Sequence, residues 1–174
     1  MTLDIEFNQP SGAIIQLGTA VGDIETGEVV HSLSLFINCK ETLSDYIVNL
    51  TGIKQNQVDT GIDLNTAYKK IDEIKNRYNV PNSILTWGFD DVGYLLENLN
   101  NVDSEMYSFD LKNIYQFNRL MQNKPLQGGL SNALVKLGGR FIGHKHNAKD
   151  DAINTFQMAM LLQNKKFSMG VRFK

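Results

Sequence analysis

The sequence predicts an α/β domain built on one mixed sheet, an antiparallel meander followed by parallel strands that alternate with helices. Three observations point there. Runs rich in β-branched and alternating apolar residues come first, the turn-forming stretches "NQPSG" and "DIETG" separate them, and helical spacing then recurs, broken by short apolar runs such as "SILTWG". At 174 residues, with no repeat, low-complexity tract or linker, residues 1–174 are expected to form one domain.

The elements follow in order. "MTLDIEF" is the first strand, and "AIIQLGTAVG" and "GEVVHSLSLFIN" complete the meander. "TLSDYIVNLTG" places Leu43, Tyr46, Ile47 and Leu50 at helical spacing, with Thr42 or Ser44 as cap and Gly52 as stop. "LNTAYKKIDEIKNRY" sets Leu64, Tyr68, Ile71 and Ile74 on one face and charges on the other. "SILTWG" is a short buried strand leading into "FDDVGYLLENL", a helix starting near Asp90 or Asp91. "MYSFDLKNIYQFNRLM" reads as a brief strand feeding a helix capped by Asp110, and "PLQGGLSNALVKLGG" holds a short helix between glycines. In the last helix, "NAKDDAINTFQMAMLLQ", Ala152, Phe156, Ala159 and Met160 are expected inward, and the basic tail "NKKFSMGVRFK" is expected to be loosely ordered.

Composition narrows the function. A formal charge of -2 argues against a broadly basic nucleic-acid coat, so any polyanion must be held by local cations or by metal ions. One cysteine, Cys39, forms no internal disulfide and suits packing in a reducing compartment. Neither a signal-like leader nor a membrane-length apolar run is present, which leads to the expectation of a cytoplasmic protein with no membrane partner. His31 falls in the meander, away from every motif, and is expected to be structural.

The acids carry the chemistry. Asp4 and Glu6 are two apart on a strand and so share a face. Asp91 follows "SILTWG", and Asp151 opens the last helix beside His146. Strand ends and first helical turns converge in such sheets. Like charges held about 4 Å apart repel by roughly 1 kcal/mol in water and several times more in a drier site. Divalent cations remove that cost, and all-oxygen ligands suit magnesium or manganese.

"LDIEF", "TWGFDDV" and "HKHNAKDDA" resemble, in order, the three motifs of the DnaQ-like 3'-5' exonucleases of the DEDDh type, which read D-x-E, a central Asp, and H-x-A-x-x-D. "TLSDYIVNLTGIKQNQVD" and "GGLSNALVKLGGRFIGHKHNAKDDAINT" are similar to the small stand-alone members related to Eri-type RNA exonucleases and KapD, so the likeness runs over nearly the whole chain. Of His144 and His146, only His146 has Ala two residues later and Asp five residues later. Asp91 and Asp151 match better than their neighbours Asp90 and Asp150, which read as helix-start caps.

The resemblance implies a ribonuclease H-like fold with Asp4, Glu6, Asp91 and Asp151 holding two Mg2+ or Mn2+ ions and His146 as general base. It also implies release of nucleoside 5'-monophosphates from single-stranded DNA or RNA 3' ends, by a monomer or homodimer. "GGRFIGHK" would let the histidine swing toward bound substrate. The chain departs from the family after Glu6, where Phe7, Asn8 and Gln9 replace the usual small residue or Thr. Phe7, Asn8, Trp87 and Phe89 are therefore the candidate substrate contacts, with core packing as the alternative for Phe7 and Trp87. Arg140, Lys145 and Lys149 either meet phosphates or form a solvated face. A catalytically weak nucleic-acid- or protein-binding module on the same fold is the alternative function, although such a module has no reason to keep all five residues.

Overall fold

The computed structural model of the chain describes residues 1–100, 102–126 and 128–163, so the expectation for the basic tail lies outside the described residues. The strands are β1 (Thr2–Phe7), β2 (Ile14–Gly22), β3 (Val29–Phe36), β4 (Ser83–Thr86) and β5 (Tyr107–Asp110). The helices are α1 (Asp45–Thr51), α2 (Gln55–Asp59), α3 (Leu64–Arg77), α4 (Asp91–Glu97), α5 (Leu111–Met121), α6 (Leu130–Lys136) and α7 (Ala148–Gln163). These strands form one sheet in the order β3-β2-β1-β4-β5, antiparallel from β1 through β3 and parallel from β1 through β5. This is the predicted mixed sheet, and its first strand is central.

The caps fall where the sequence places them. Ser44 accepts from Ile47 N–H at the start of α1, and Gly52 closes that helix at φ 73°. Asp90 accepts from Gly93 N–H and Asp110 from Lys112 N–H, beginning α4 and α5. Each such cap is worth on the order of 1 kcal/mol. The short α2 is an element the sequence reading did not separate from its loop.

β1 has two unlike faces. Leu3 and Ile5 are buried in a cluster with Ile71 of α3 and Val92 and Leu95 of α4. Thr2, Asp4 and Glu6 face the other way, toward α7, and Thr2 Oγ1 donates to the Ala152 carbonyl at 2.8 Å. α7 crosses the sheet centre and is buried at Ala148, Ala152, Asn154, Thr155, Phe156, Met158 and Leu162. Its inward side differs from the expected one, because Ala159 and Met160 are only half-buried whereas Asn154, Thr155 and Met158 lie inside. On α1, Tyr46 points outward at 59% exposure, leaving Ile47 as that helix's buried residue.

Two positions let α7 lie so close to the sheet. A Cβ at Gly18, the β2 residue paired with Asp4, would overlap the Ala148–Lys149 peptide, and one at Gly22 would overlap the Phe156 ring. Gln16, fully buried on β2, accepts from Ala148 N–H at 3.0 Å and donates to Ser34 Oγ at 3.0 Å. The first turn of α7 is therefore fixed to the sheet beside Asp4 and Glu6.

Candidate active site

The cleft is lined from β1, α1, the β4–α4 connection, the start of α5, the glycines before α6 with its first residue, and the start of α7. Its cavity is about 420 Å³, and its walls include Asp4, Glu6, Asp91, His146 and Asp151. The structure thus brings together the five residues singled out in the sequence.

Asp91, 3% exposed, occupies the first turn of α4, where the nearby backbone N–H groups of Ile5 and of Asp91 itself favour its charged form. The acid therefore lies against β1 at Ile5, between Asp4 and Glu6. Asp151 is held differently, its Oδ2 accepting the His146 N–H at 2.8 Å. His146 adopts φ 60° and is exposed at the cleft wall. One donor atom each from Glu6, His146 and Asp151 lies within 4.8 Å of the others.

Concentrated negative charge is written into the ionisation of these acids. Burial first, then Asp91, Asp151 and Glu6, raises the Asp4 carboxyl well above the usual carboxylate range. Glu6 is pushed up to about 8 by burial and by Asp151. Asp91 is also pushed up to about 8, chiefly by burial, against the two backbone N–H groups that favour its charge. Asp151 rises to about 6, again mainly through burial, while the His146 N–H and Lys145 oppose the shift. Four carboxylates that resist ionising together, with an imidazole beside them, are the donor set that hard divalent cations fit.

The neighbouring acids are structural. Asp90 is the α4 cap, as expected. Asp150 accepts the His144 N–H at 2.8 Å and pairs with Lys149 at 3.8 Å, so it braces the loop before α7. Asn154 clamps that loop from inside, accepting from Ile142 N–H and donating to the Ile142 carbonyl.

The aromatic candidates divide. Phe7 and Phe89 line the cleft, with ring centroids 6.1 Å apart and Tyr94 packed against both. Phe89 is 45% exposed and so presents a free face. Trp87 also reaches the cleft, but its Nε1–H donates to the Gly128 carbonyl at 3.1 Å and its ring packs on Tyr115. Asn8 does not line the cleft. It is 4% exposed and donates to Glu41 and the Thr42 carbonyl while accepting from Ser44 N–H. Its side chain is therefore committed to joining the end of β1 to the start of α1, which corrects its placement among the substrate contacts.

Lys112, which the sequence reading passed over, lines the cleft. Its alkyl stem runs past two glycines: a Cβ at Gly88 would come within 2.7 Å of Lys112 Cδ, and one at Gly128 within 3.0 Å of Cε. No salt bridge engages its ammonium among the described residues. The signal available in advance was Lys112 two residues after the cap Asp110, whose Oδ1 also accepts Gly88 N–H at 2.8 Å.

Comparison with known proteins agrees with this geometry. The RNase_T family model, described as Exonuclease, matches residues 2–159. The chain belongs to the RNase_T exonuclease family. Among curated relatives, this RNase_T member is 27% identical over 181 residues to the probable 3'-5' exonuclease KapD of Bacillus subtilis, covering 95% of this chain and 85% of that protein. It is 29% identical over 177 residues to ERI1 exoribonuclease 2 of Homo sapiens, covering 86% of this chain but spanning only 25% of that protein's length. The nuclease domain of 3'hExo, a DEDDh family member bound to rAMP, superposes with TM-score 0.76 at 22% identity, covering 91% of this chain and 88% of that one. Pop2p of S. pombe, in its Mg2+- and Mn2+-bound form, superposes at 0.62 with 20% identity, covering 91% of this chain and 71% of that one. These likenesses establish the ribonuclease H-like fold for this RNase_T member.

Proposed function

We propose that the chain is a divalent-metal-dependent 3'-5' exonuclease that hydrolyses single-stranded nucleic acid from the 3' end and releases nucleoside 5'-monophosphates. The observation that carries this reading is the meeting of Asp4, Glu6, Asp91, Asp151 and His146 in one cleft. Family membership supports the reaction class, and the rAMP bound to 3'hExo supports a mononucleotide-sized product.

Asp4, Glu6, Asp91 and Asp151 would hold two Mg2+ or Mn2+ ions. Such ions supply an acidified water and neutralise charge on the phosphate and the leaving oxygen. His146 takes the proton from the attacking water, a task matched to an imidazole exposed at the cleft wall. The His146 N–H, by donating to Asp151, couples the base to the acid cluster so that both sit in one frame. Phe7 and Phe89 offer apolar faces on which a terminal base stacks without sequence preference. Lys112 offers its ammonium to a phosphate oxygen.

The test uses 3'-end-labelled RNA and DNA strands of matched sequence with the purified chain. Label should be released as a mononucleotide in Mg2+ or Mn2+, not in EDTA, and not by Asp4→Ala. Release that persists in EDTA or in that variant refutes the assignment, and the RNA-to-DNA rate ratio assigns the preferred substrate.

A further inference from the structure

A strand whose 3' end fills the cleft must lay its remainder somewhere on the surface. Two helices leave the cleft and both end in positive charge. α5 brings Lys112 to the cleft and carries Arg119 two turns later, about 10 Å further along the same side at about 1.5 Å rise per residue. α6 starts with Leu130 in the cleft wall and ends at Lys136. Tyr115 lies between the two regions, its ring 5.8 Å from that of Trp87 and its hydroxyl 3.4 Å from an Arg119 guanidinium nitrogen.

Beyond Tyr115 is a second depression, walled by Asn118, Arg119, Gln122, Lys124 and Lys136 and lined by no carboxylate among the described residues. Arg119 is fixed there, its Nε–H donating to the Pro125 carbonyl at 2.7 Å and its guanidinium 5.7 Å from the Tyr115 ring centre. That leaves further guanidinium N–H groups free to meet a ligand. Lys124 Nζ donates to Gln122 Oε1 at 2.7 Å, and none of the three cations has a salt bridge among the described residues. Three such cations in one depression, in a chain of net charge -2, mark it as a place built for an anion.

We propose that this basic depression binds the phosphodiester backbone of the substrate strand a few nucleotides upstream of the 3' end. The inference rests on the proposed exonuclease reading, since that reading places the strand's end in the cleft. Rigid Arg119 supplies the planar donor fork, Lys124 and Lys136 supply mobile charge, and Asn118 and Gln122 supply neutral amide donors for phosphate oxygens. Binding is tolerant of sequence because only the backbone is read.

Equilibrium binding tests it directly. Fluorescence anisotropy with Ca2+ compares labelled single strands of about four and about twelve nucleotides, a range spanning common single-strand site sizes. The double variant Lys124→Glu, Lys136→Glu changes two exposed side chains, and the double variant Lys69→Glu, Lys70→Glu, at two exposed positions of α3, controls for net charge. The long-over-short affinity ratio should fall about tenfold in the former, and the slope of log Kd against log salt should flatten by about 0.7 for each lost phosphate contact. An unchanged ratio in the Lys124→Glu, Lys136→Glu variant overturns the proposal, as does an equal loss in the Lys69→Glu, Lys70→Glu control. So does a self-associated form that the substitutions dissociate while the ratio holds, since the depression would then be seating a second copy. A wild-type chain that binds long strands through these residues yet hydrolyses nothing in Mg2+ would sink the exonuclease reading, and with it the position relative to the 3' end, while keeping the depression as a strand-binding surface.

Discussion

Gly18 of β2 stands directly opposite Asp4 of β1, and the space a side chain would need at Gly18 is filled by the Ala148–Lys149 peptide of α7. One missing Cβ thus sets how closely the Asp151 turn approaches the β1 acids. Gly18→Val should displace the first turn of α7 and lower kcat by about 10²-fold, the usual cost of misplacing a catalytic group by about 1 Å. Single-turnover rates on a short labelled strand check this, with circular dichroism confirming that the fold survives. A rate within about twofold of wild type would show that the close approach is dispensable.

The acid cluster makes the metal-free protein pH-sensitive. Asp4, Glu6, Asp91 and Asp151 all have raised carboxyl pKa values, Glu6 and Asp91 to about 8. Between the unfolded carboxylate range near 4 and these values, the folded state holds more protons than the unfolded state, so stability falls as pH rises. In EDTA the Tm should drop from about pH 5 to about pH 8 by several degrees. Saturating Mn2+ should cancel most of that drop, because the ions bind the ionised form. A Tm in EDTA that is level or rising across this window contradicts the cluster.

Asp91→Asn isolates the same trade between stability and chemistry. The amide keeps the shape and one acceptor oxygen of the side chain while removing an ionisable group from a site 3% exposed. The metal-free Tm should rise by about 2–4 °C for each kcal/mol of burial cost and repulsion relieved, and hydrolysis should fall by ~10²-fold or more. Scanning calorimetry in EDTA beside a hydrolysis assay reads both. A variant less stable than wild type without metal would mean that Asp91 is held by interactions its amide cannot replace.

His146 lies near enough to Glu6 and Asp151 for its ring to be a ligand as well as a base. As a base, its loss in His146→Ala should cut kcat by about 10²- to 10⁴-fold and leave the Mn2+-induced Tm increase largely intact. Disappearance of that increase would instead make the imidazole a ligand.

Phe89 and Trp87 should behave oppositely when truncated. Phe89→Ala removes a half-exposed face and should raise KM for a single strand about tenfold, as loss of one base stack does, with little change in Tm. Trp87→Ala breaks the bond to Gly128 and the packing on Tyr115, so its main effect should be a lower Tm. The reverse pattern, read by thermal melts and initial rates, would exchange their roles.

Much of this site is visible in the chain before folding. Asp4 and Glu6 declare a shared strand face by their spacing, and the Ala and Asp after His146 separate it from His144. Asp90 and Asp110 act as the caps their positions suggest. What stays hidden depends on register and close approach. Gly18 matters only because antiparallel pairing sets it beside Asp4, and Gln16 only because its amide meets the N–H of Ala148, distant in sequence. Asn8 looks like a substrate contact by its nearness to Glu6, yet Glu41, Thr42 and Ser44 claim all its polar atoms. α7 misleads a one-stripe reading because it lies across the sheet centre, where polar Asn154 and Thr155 are enclosed along with apolar neighbours.

The central position of β1 has a temporal consequence. Strand pairing on both its edges and the crossing of α7 over its acidic face join residue 4 to residue 151, so the pocket is assembled from groups far apart in the chain. A ribosome making this polypeptide releases the first two acids long before their last partner exists. The acid cluster therefore closes only after Asp151 has left the ribosome, and until then Asp4 and Glu6 wait without their last partner.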